Sequence, residues 1–137
     1  MAVPLIKFQS ASENFAKGVY NFTSDATSTI TVALTNTEPL VTYSDISQIS
    51  QINYSGLSSR RCNISYSVQQ GGEYKLKLAN IILTTDSTIP TFQYVVLYDA
   101  IPGKLIGYYN YGAAINLNVS KRFRITFNDI TGVFKIK

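Results

Sequence analysis

The chain has 137 residues, a net charge of +4, a charged fraction of only 15%, ten tyrosines, one cysteine and no histidine. That length suits one domain with a sizeable core. The absence of histidine excludes Ser-His-Asp and Cys-His nucleophile systems, and a lone cysteine leaves neither an intrachain disulfide nor a cysteine metal cluster. A surface so poor in charge must be covered by Ser, Thr, Asn, Gln and Tyr, which fits both a β-rich domain and a surface that faces other protein.

Residues 1–9 read as an extended arm, with Val3, Leu5, Ile6 and Phe8 apolar and Pro4 opposing helix. Such an arm either completes the sheet of its own domain or lies on a neighbour. Residues 10–137 then form a single domain. Ser10 and Glu13 have the spacing of a capping box, and Phe15, Val19 and Phe22 recur at helical separations. This predicts one helix from about Ala11 to Tyr20, weakened near its end by Gly18.

Thr27–Thr35 is β-branched and alternating, a strand with Ile30, Val32 and Leu34 on one side, broken by Glu38 and Pro39. Thr42 to Asp45 offer caps for a short helical turn carrying Ile46 and Ile49. Residues 50–59 read as a loop or weak strand. Arg60–Gln69 is a strand with Cys62, Ile64, Tyr66 and Val68 pointing inward, and Gly71 and Gly72 turn it into Glu73–Leu83. In that second strand Tyr74, Leu76 and Leu78 point in, Lys75 and Lys77 point out, and a bulge at Asn80 changes the parity.

The strongest signal is a pair of aromatic-rich runs, Phe92–Tyr98 and Lys104–Tyr111, joined by Asp99, Ala100, Ile101, Pro102 and Gly103. The first run is apolar on both parities, so it belongs in the middle of a sheet between two layers. Proline, glycine and aspartate between the runs are turn chemistry. Beyond Gly112, Ile115, Leu117 and Val119 alternate. Lys121–Asn128 follows with Phe123, Ile125 and Phe127 inward and Arg122 and Arg124 outward. Asp129 to Gly132 turn the chain into a last strand, Val133–Ile136. About eight short strands at this spacing indicate an all-β fold, an antiparallel β-sandwich of jelly-roll type with one short N-terminal helix.

Nothing in the pattern reads as catalytic or as a cofactor or metal site. The acids Glu13, Asp25, Glu38, Asp45, Glu73, Asp86, Asp99 and Asp129 are scattered mostly in turns and at helix starts, where capping explains them. There is no glycine-rich phosphate loop, and Cys62 reads as a small buried hydrophobe. Tyr98, Tyr108, Tyr109 and Tyr111, beside Tyr94, are either cross-strand packing or subunit-interface residues, or an aromatic platform for sugar or single-stranded nucleic acid. Lys121, Arg122, Arg124, Lys135 and Lys137 make the C-terminal end basic. Such an end suits an acidic protein surface, nucleic acid or an anionic membrane, or simply keeps a strand edge solvated. The Arg122 and Arg124 face has no aromatics on its own parity, which counts against a nucleic-acid groove. No run reaches transmembrane length, and the first ten residues lack the basic start and apolar core of a signal peptide, so a cytoplasmic origin is expected.

Several segments in order, ENFAKGVYNF, ITVALTNTEP, YSDISQI, GGEYKLKLANIILT, the YVVLYD and LIGYYNYG hairpin, and ITFNDITGVFKI, resemble a family of small structural proteins of tailed-bacteriophage virions. The resemblance runs from about Glu13 to the end. It lies in the succession of pieces, none of which is diagnostic alone. It implies a non-enzymatic capsid decoration or cement protein that binds and stabilises the head shell. Its partners would be the major capsid protein and further copies of itself, as a dimer or trimer. Its place would be the capsid surface, after assembly in the host bacterial cytoplasm, with no cofactor, no membrane and no nucleic-acid partner. On this view Lys121, Arg122, Arg124, Lys135 and Lys137 contact the shell, and Val3, Leu5, Ile6 and Phe8 are arm contacts. The rival expectation is a glycan- or receptor-binding module of a tail or head fibre, using the tyrosine-rich hairpin.

Overall fold

The computed structural model describes residues 3–23, 25–127 and 132–136. In chain order the elements are β1 (Ile6–Lys7), α1 (Ala11–Ala16), β2 (Ile30–Thr35), a 3-10 turn (Ile46–Gln48), β3 (Ile64–Gln70), β4 (Glu73–Leu78), β5 (Ile81–Thr84), β6 (Phe92–Asp99), β7 (Lys104–Ile115), β8 (Arg122–Ile125) and β9 (Phe134–Ile136). The fold is all-β and antiparallel with one short helix. A four-stranded sheet runs β1-β7-β6-β2, and opposite it lie a three-stranded sheet, β3-β4-β9, and a two-stranded one, β5-β8.

The main core fills the space between these layers. Ile30, Val32 and Leu34 of β2, Val95 and Leu97 of β6 and Ile106 and Tyr109 of β7 meet Leu76, Leu78, Leu83, Ile125 and Phe134 from the opposite sheets. The alternate residues of the same central strands, Ala33, Tyr94, Val96, Tyr98, Leu105 and Tyr108, are buried on the other face. There Phe8, Ile49, Val41, Tyr43 and Ile46 cover them. The both-faces-apolar run of β6 therefore sits in the interior of its sheet, as its pattern requires.

The arm completes the four-stranded sheet. Ile6 and Lys7 pair with Tyr108 and Gly107 of β7, and Phe8 is 1% exposed in the second core. Gly107 makes room for this: a Cβ there would stand 2.7 Å from Leu5 Cδ1 and 3.0 Å from the Ile6 carbonyl oxygen. Of the two roles open to the arm in the sequence, the structure selects the sheet edge of its own domain.

Four local expectations differ from the structure. The helix ends at Ala16, and the Ser10 side chain makes no capping hydrogen bond. Its hydroxyl is buried without a partner among the described residues. The true capping box lies further on, where Asp45 accepts from Ser47 N–H and Gln48 returns the bond to the Asp45 amide. Secondly, an irregularity between Ile64 and Tyr66 shifts the register of β3. Tyr66 and Val68 are thereby turned outward, Val68 being 52% exposed, and Ser67 goes inward to bond Phe22 O and the Tyr74 hydroxyl. One extra residue in a strand inverts every side chain beyond it. Thirdly, the chain does not bulge at Asn80 but changes sheet, β4 pairing with β3 and β9 while β5 pairs with β8. Finally, Val119 does not join the inward alternation of Ile115 and Leu117 but is exposed.

Two turns follow their residues. Gly71 and Gly72, at φ 61° and 83°, make the two-residue turn between β3 and β4, where only glycine takes two positive φ values in succession without strain. At the β6–β7 turn the Asp99 carboxylate is fully buried. It accepts from the Asn21 amide at 2.9 Å, from the Thr29 hydroxyl and from the Ile101 amide at 3.4 Å. It thus fastens the turn to the segment after α1 as well as to its own backbone. The expected turn at Asp129 to Gly132 lies largely outside the described residues.

Candidate functional site

Among the described residues no group of three or more His, Cys, Asp and Glu side chains could hold a metal ion. No helix is long and apolar enough to cross a membrane. Cys62 is fully buried, and burial pushes its thiol up to about 12. A thiol so placed stays protonated and cannot act as a nucleophile near neutral pH. A maleimide is therefore expected to leave the folded chain unlabelled at neutral pH and to modify it once unfolded; rapid labelling of the native protein would contradict this placement.

The tyrosines named from the sequence do not form one platform. Tyr98 and Tyr108 lie in the second core, where Tyr108 packs edge-on against Tyr94 and tilted against Phe8. Tyr109 lies in the main core against Phe127, and Tyr111 meets Phe123 edge-on. Burial raises the phenol pKa of Tyr108, Tyr109 and Tyr111. Alternation sends neighbouring tyrosines of β7 to opposite faces of the sheet, so their rings serve packing within the subunit.

The basic end also divides. Lys135, on β9, stands across from Lys75 of β4, and both approach the Glu73 carboxylate, at 3.9 and 3.5 Å. Lys137 lies outside the described residues. Arg122 and Arg124 belong instead to the two-stranded β5–β8 sheet, opposite Thr84 and Ile82, and Lys121 directly precedes β8. All three are exposed, and so is Ile82 at 49%, while Val119 nearby in the chain is exposed at 55%. Phe123 and Ile125 point the other way and pack inside.

What sets this face apart is its unused charge. The other described cations have partners. Lys17, Arg61, Lys75, Lys104 and Lys135 pair with carboxylates, and Lys7, Arg60 and Lys77 lie over aromatic rings. Lys121, Arg122 and Arg124 have no anionic or aromatic partner among the described residues. Unpaired cations at and next to β8, with exposed Ile82 opposite Arg124, make a surface suited to an acidic partner that also offers apolar contact.

Sequence reasoning missed two features. The register shift in β3 brings Tyr66 to the surface, where it walls a polar cavity with Gln70, Glu73 and Lys75. The other is an aromatic pocket of about 300 Å³ beside α1, lined by Phe15, Tyr20, Phe22 and Tyr74 with Gly18, Thr23 and Ser67. The helical recurrence of Phe15 and Phe22 is its one trace in the sequence.

No protein-family model, curated protein or solved structure matches the chain. The fold and the surface define an all-β protein whose exposed cationic face is its clearest candidate for contact with a partner.

Proposed function

We propose that this chain is a non-enzymatic structural protein of a tailed-bacteriophage virion, a decoration or cement protein that binds the head shell through the β5–β8 face. The segment-by-segment resemblance supplies the particle. The observation that carries the docking mode is the pair Arg122 and Arg124, held on one exposed strand face without anionic partners among the described residues and with exposed Ile82 opposite Arg124, next to exposed Lys121 in the chain. The partner is an acidic surface of the major capsid protein. The protein adds to the capsid surface in the bacterial cytoplasm as a dimer or trimer, since symmetric copies suit the repeated, symmetry-related sites of a shell. A protein partner is favoured over nucleic acid because the residues that stand opposite the two arginines, Thr84 and Ile82, are hydroxylated and aliphatic, and Phe123 between the arginines packs inward, which leaves no ring on that parity for a base to stack on.

Co-sedimentation with head shells tests the reading. Converting both Arg122 and Arg124 to glutamate is expected to weaken binding about tenfold or more, with a reduced dependence on salt because the screened attraction has been removed. Both side chains are exposed, so the variant is expected to unfold within about 0.5 kcal/mol of the parent. Unchanged binding across salt concentrations would remove the β5–β8 face from the docking role.

A further inference from the structure

We propose that the outer face of the β3–β4 hairpin carries a binding site for a single acidic sugar residue, a hexuronic acid or a sialic acid. The site lies on the three-stranded sheet, apart from the β5–β8 face, and does not rest on the docking reading. It is a cavity of about 230 Å³ lined by Tyr66, Gln70, Glu73 and Lys75. That space equals roughly eight waters at ~30 Å³ each. It falls below the ~300–1,000 Å³ of pockets for drug-sized ligands and matches the scale of one sugar ring.

The lining has the chemistry that a sugar requires. Hydroxyls donate and accept, so their site needs both kinds of partner. Glu73 accepts, Lys75 donates and the Gln70 amide does both. The Gln70 side chain is exposed and makes no hydrogen bond to a described residue. Glu73 holds Lys75 at 3.5 Å and Lys135 at 3.9 Å, both beyond a direct hydrogen bond, so its oxygens keep capacity for hydroxyls. Tyr66 supplies an aromatic wall for the C–H face of the ring, and Lys77 stands 5.1 Å from its centroid.

The charge selects an acidic sugar. Two ammonium groups, Lys75 and Lys135, approach the Glu73 carboxylate, and a third, Lys77, lies over the Tyr66 ring, so a ligand carboxylate meets net positive charge from the described residues. The Gly71–Gly72 turn and the register shift place Tyr66, Gln70, Glu73 and Lys75 on one face of the hairpin, and β9 brings Lys135 alongside. Without that shift Tyr66 points into the core and the cavity has no aromatic side.

The test is a titration of the full chain with glucuronic acid, with glucose and acetate as controls, followed by two-dimensional amide NMR. The expected result is saturable shifts confined to residues 64–78 and to Lys135, with an affinity of about 1 mM, the scale for a ligand of this size. Glucose is expected to bind about tenfold more weakly for want of the charge contact. Gln70→Ala and Lys75→Glu should each abolish or sharply weaken the shifts while the rest of the spectrum stays unchanged. Tyr66→Ala should do the same provided its spectrum remains dispersed. Equal binding of glucose would overturn the acidic assignment. Equal shifts with acetate would reduce the site to one for simple anions, and scattered or non-saturating shifts would remove it. Arg122→Glu is expected to leave the titration unaltered, which separates this site from the docking face.

Discussion

Replacing Phe8 by alanine is expected to cost about 3–5 kcal/mol of unfolding free energy, the range for truncating a fully buried phenylalanine. Phe8 is 1% exposed and packs on Tyr108 with ring centroids 5.5 Å apart. Its amide donates to the Ile106 carbonyl at 3.1 Å. Against a total stability of about 5–15 kcal/mol, such a loss brings the domain close to unfolding at room temperature. Urea titration of the variant measures it. A loss below about 1 kcal/mol would mean that the arm is dispensable to the fold, contrary to its place in the second core. The sequence admitted an arm that reaches a neighbour, and for that arm deletion would harm assembly more than folding. With Phe8 buried in its own subunit, removing residues 1–9 is expected to harm folding first.

Asp99→Ala is expected to destabilise the domain by about 3 kcal/mol or more, because buried donors would lose their acceptor without gaining water. The carboxylate bonds the Asn21 amide, the Thr29 hydroxyl and the Ile101 amide. Through them it holds together the β6–β7 turn, the entry to β2 and the segment after α1. Asp99→Asn keeps one acceptor oxygen and is expected to lose roughly half as much. Thermal unfolding of the two variants side by side checks the order. If alanine and asparagine proved equally mild, the network would carry no stability. With those bonds lost in the alanine variant, the exposed tip that Asp99 anchors, with Ile101 at 72% exposure, is expected to move more freely.

The sequence makes the interior strands legible and leaves the edges and the topology obscure. β6 is apolar on both parities, and no position other than the middle of a covered sheet satisfies that. The two glycines after Gln70 and the box from Asp45 to Gln48 are equally local signals, and both appear where their chemistry puts them. Ser10 and Glu13 show the limit of spacing alone. The residues stand at capping distance, yet the arm holds Ser10 at φ −72° and ψ −13°, a helical conformation in which its side chain does not cap. The outward turn of Tyr66 and Val68 was hidden because an inserted residue leaves no mark in an already alternating run of serines and aliphatics. The C-terminal basic run reads as one patch in the linear chain. It divides because β8 pairs with β5 while β9 pairs with β4, and such pairing between distant segments is invisible to local pattern.

That division narrows the proposed docking surface to the cations at and next to β8 and gives Lys135 a different setting. The tyrosine-rich hairpin, the strongest signal in the chain, is the structural centre that holds these surfaces in place. Its rings are spent on two cores.

The most direct test of the central claim is the copy number of this protein in purified virions, measured by quantitative mass spectrometry against the major capsid protein. A decoration protein that docks on repeated shell sites is predicted to be present in fixed proportion to the major capsid protein. Its amount should fall when Arg122 and Arg124 are both converted to glutamate. A trace amount, or a normal amount in the charge-reversed virion, would contradict the account.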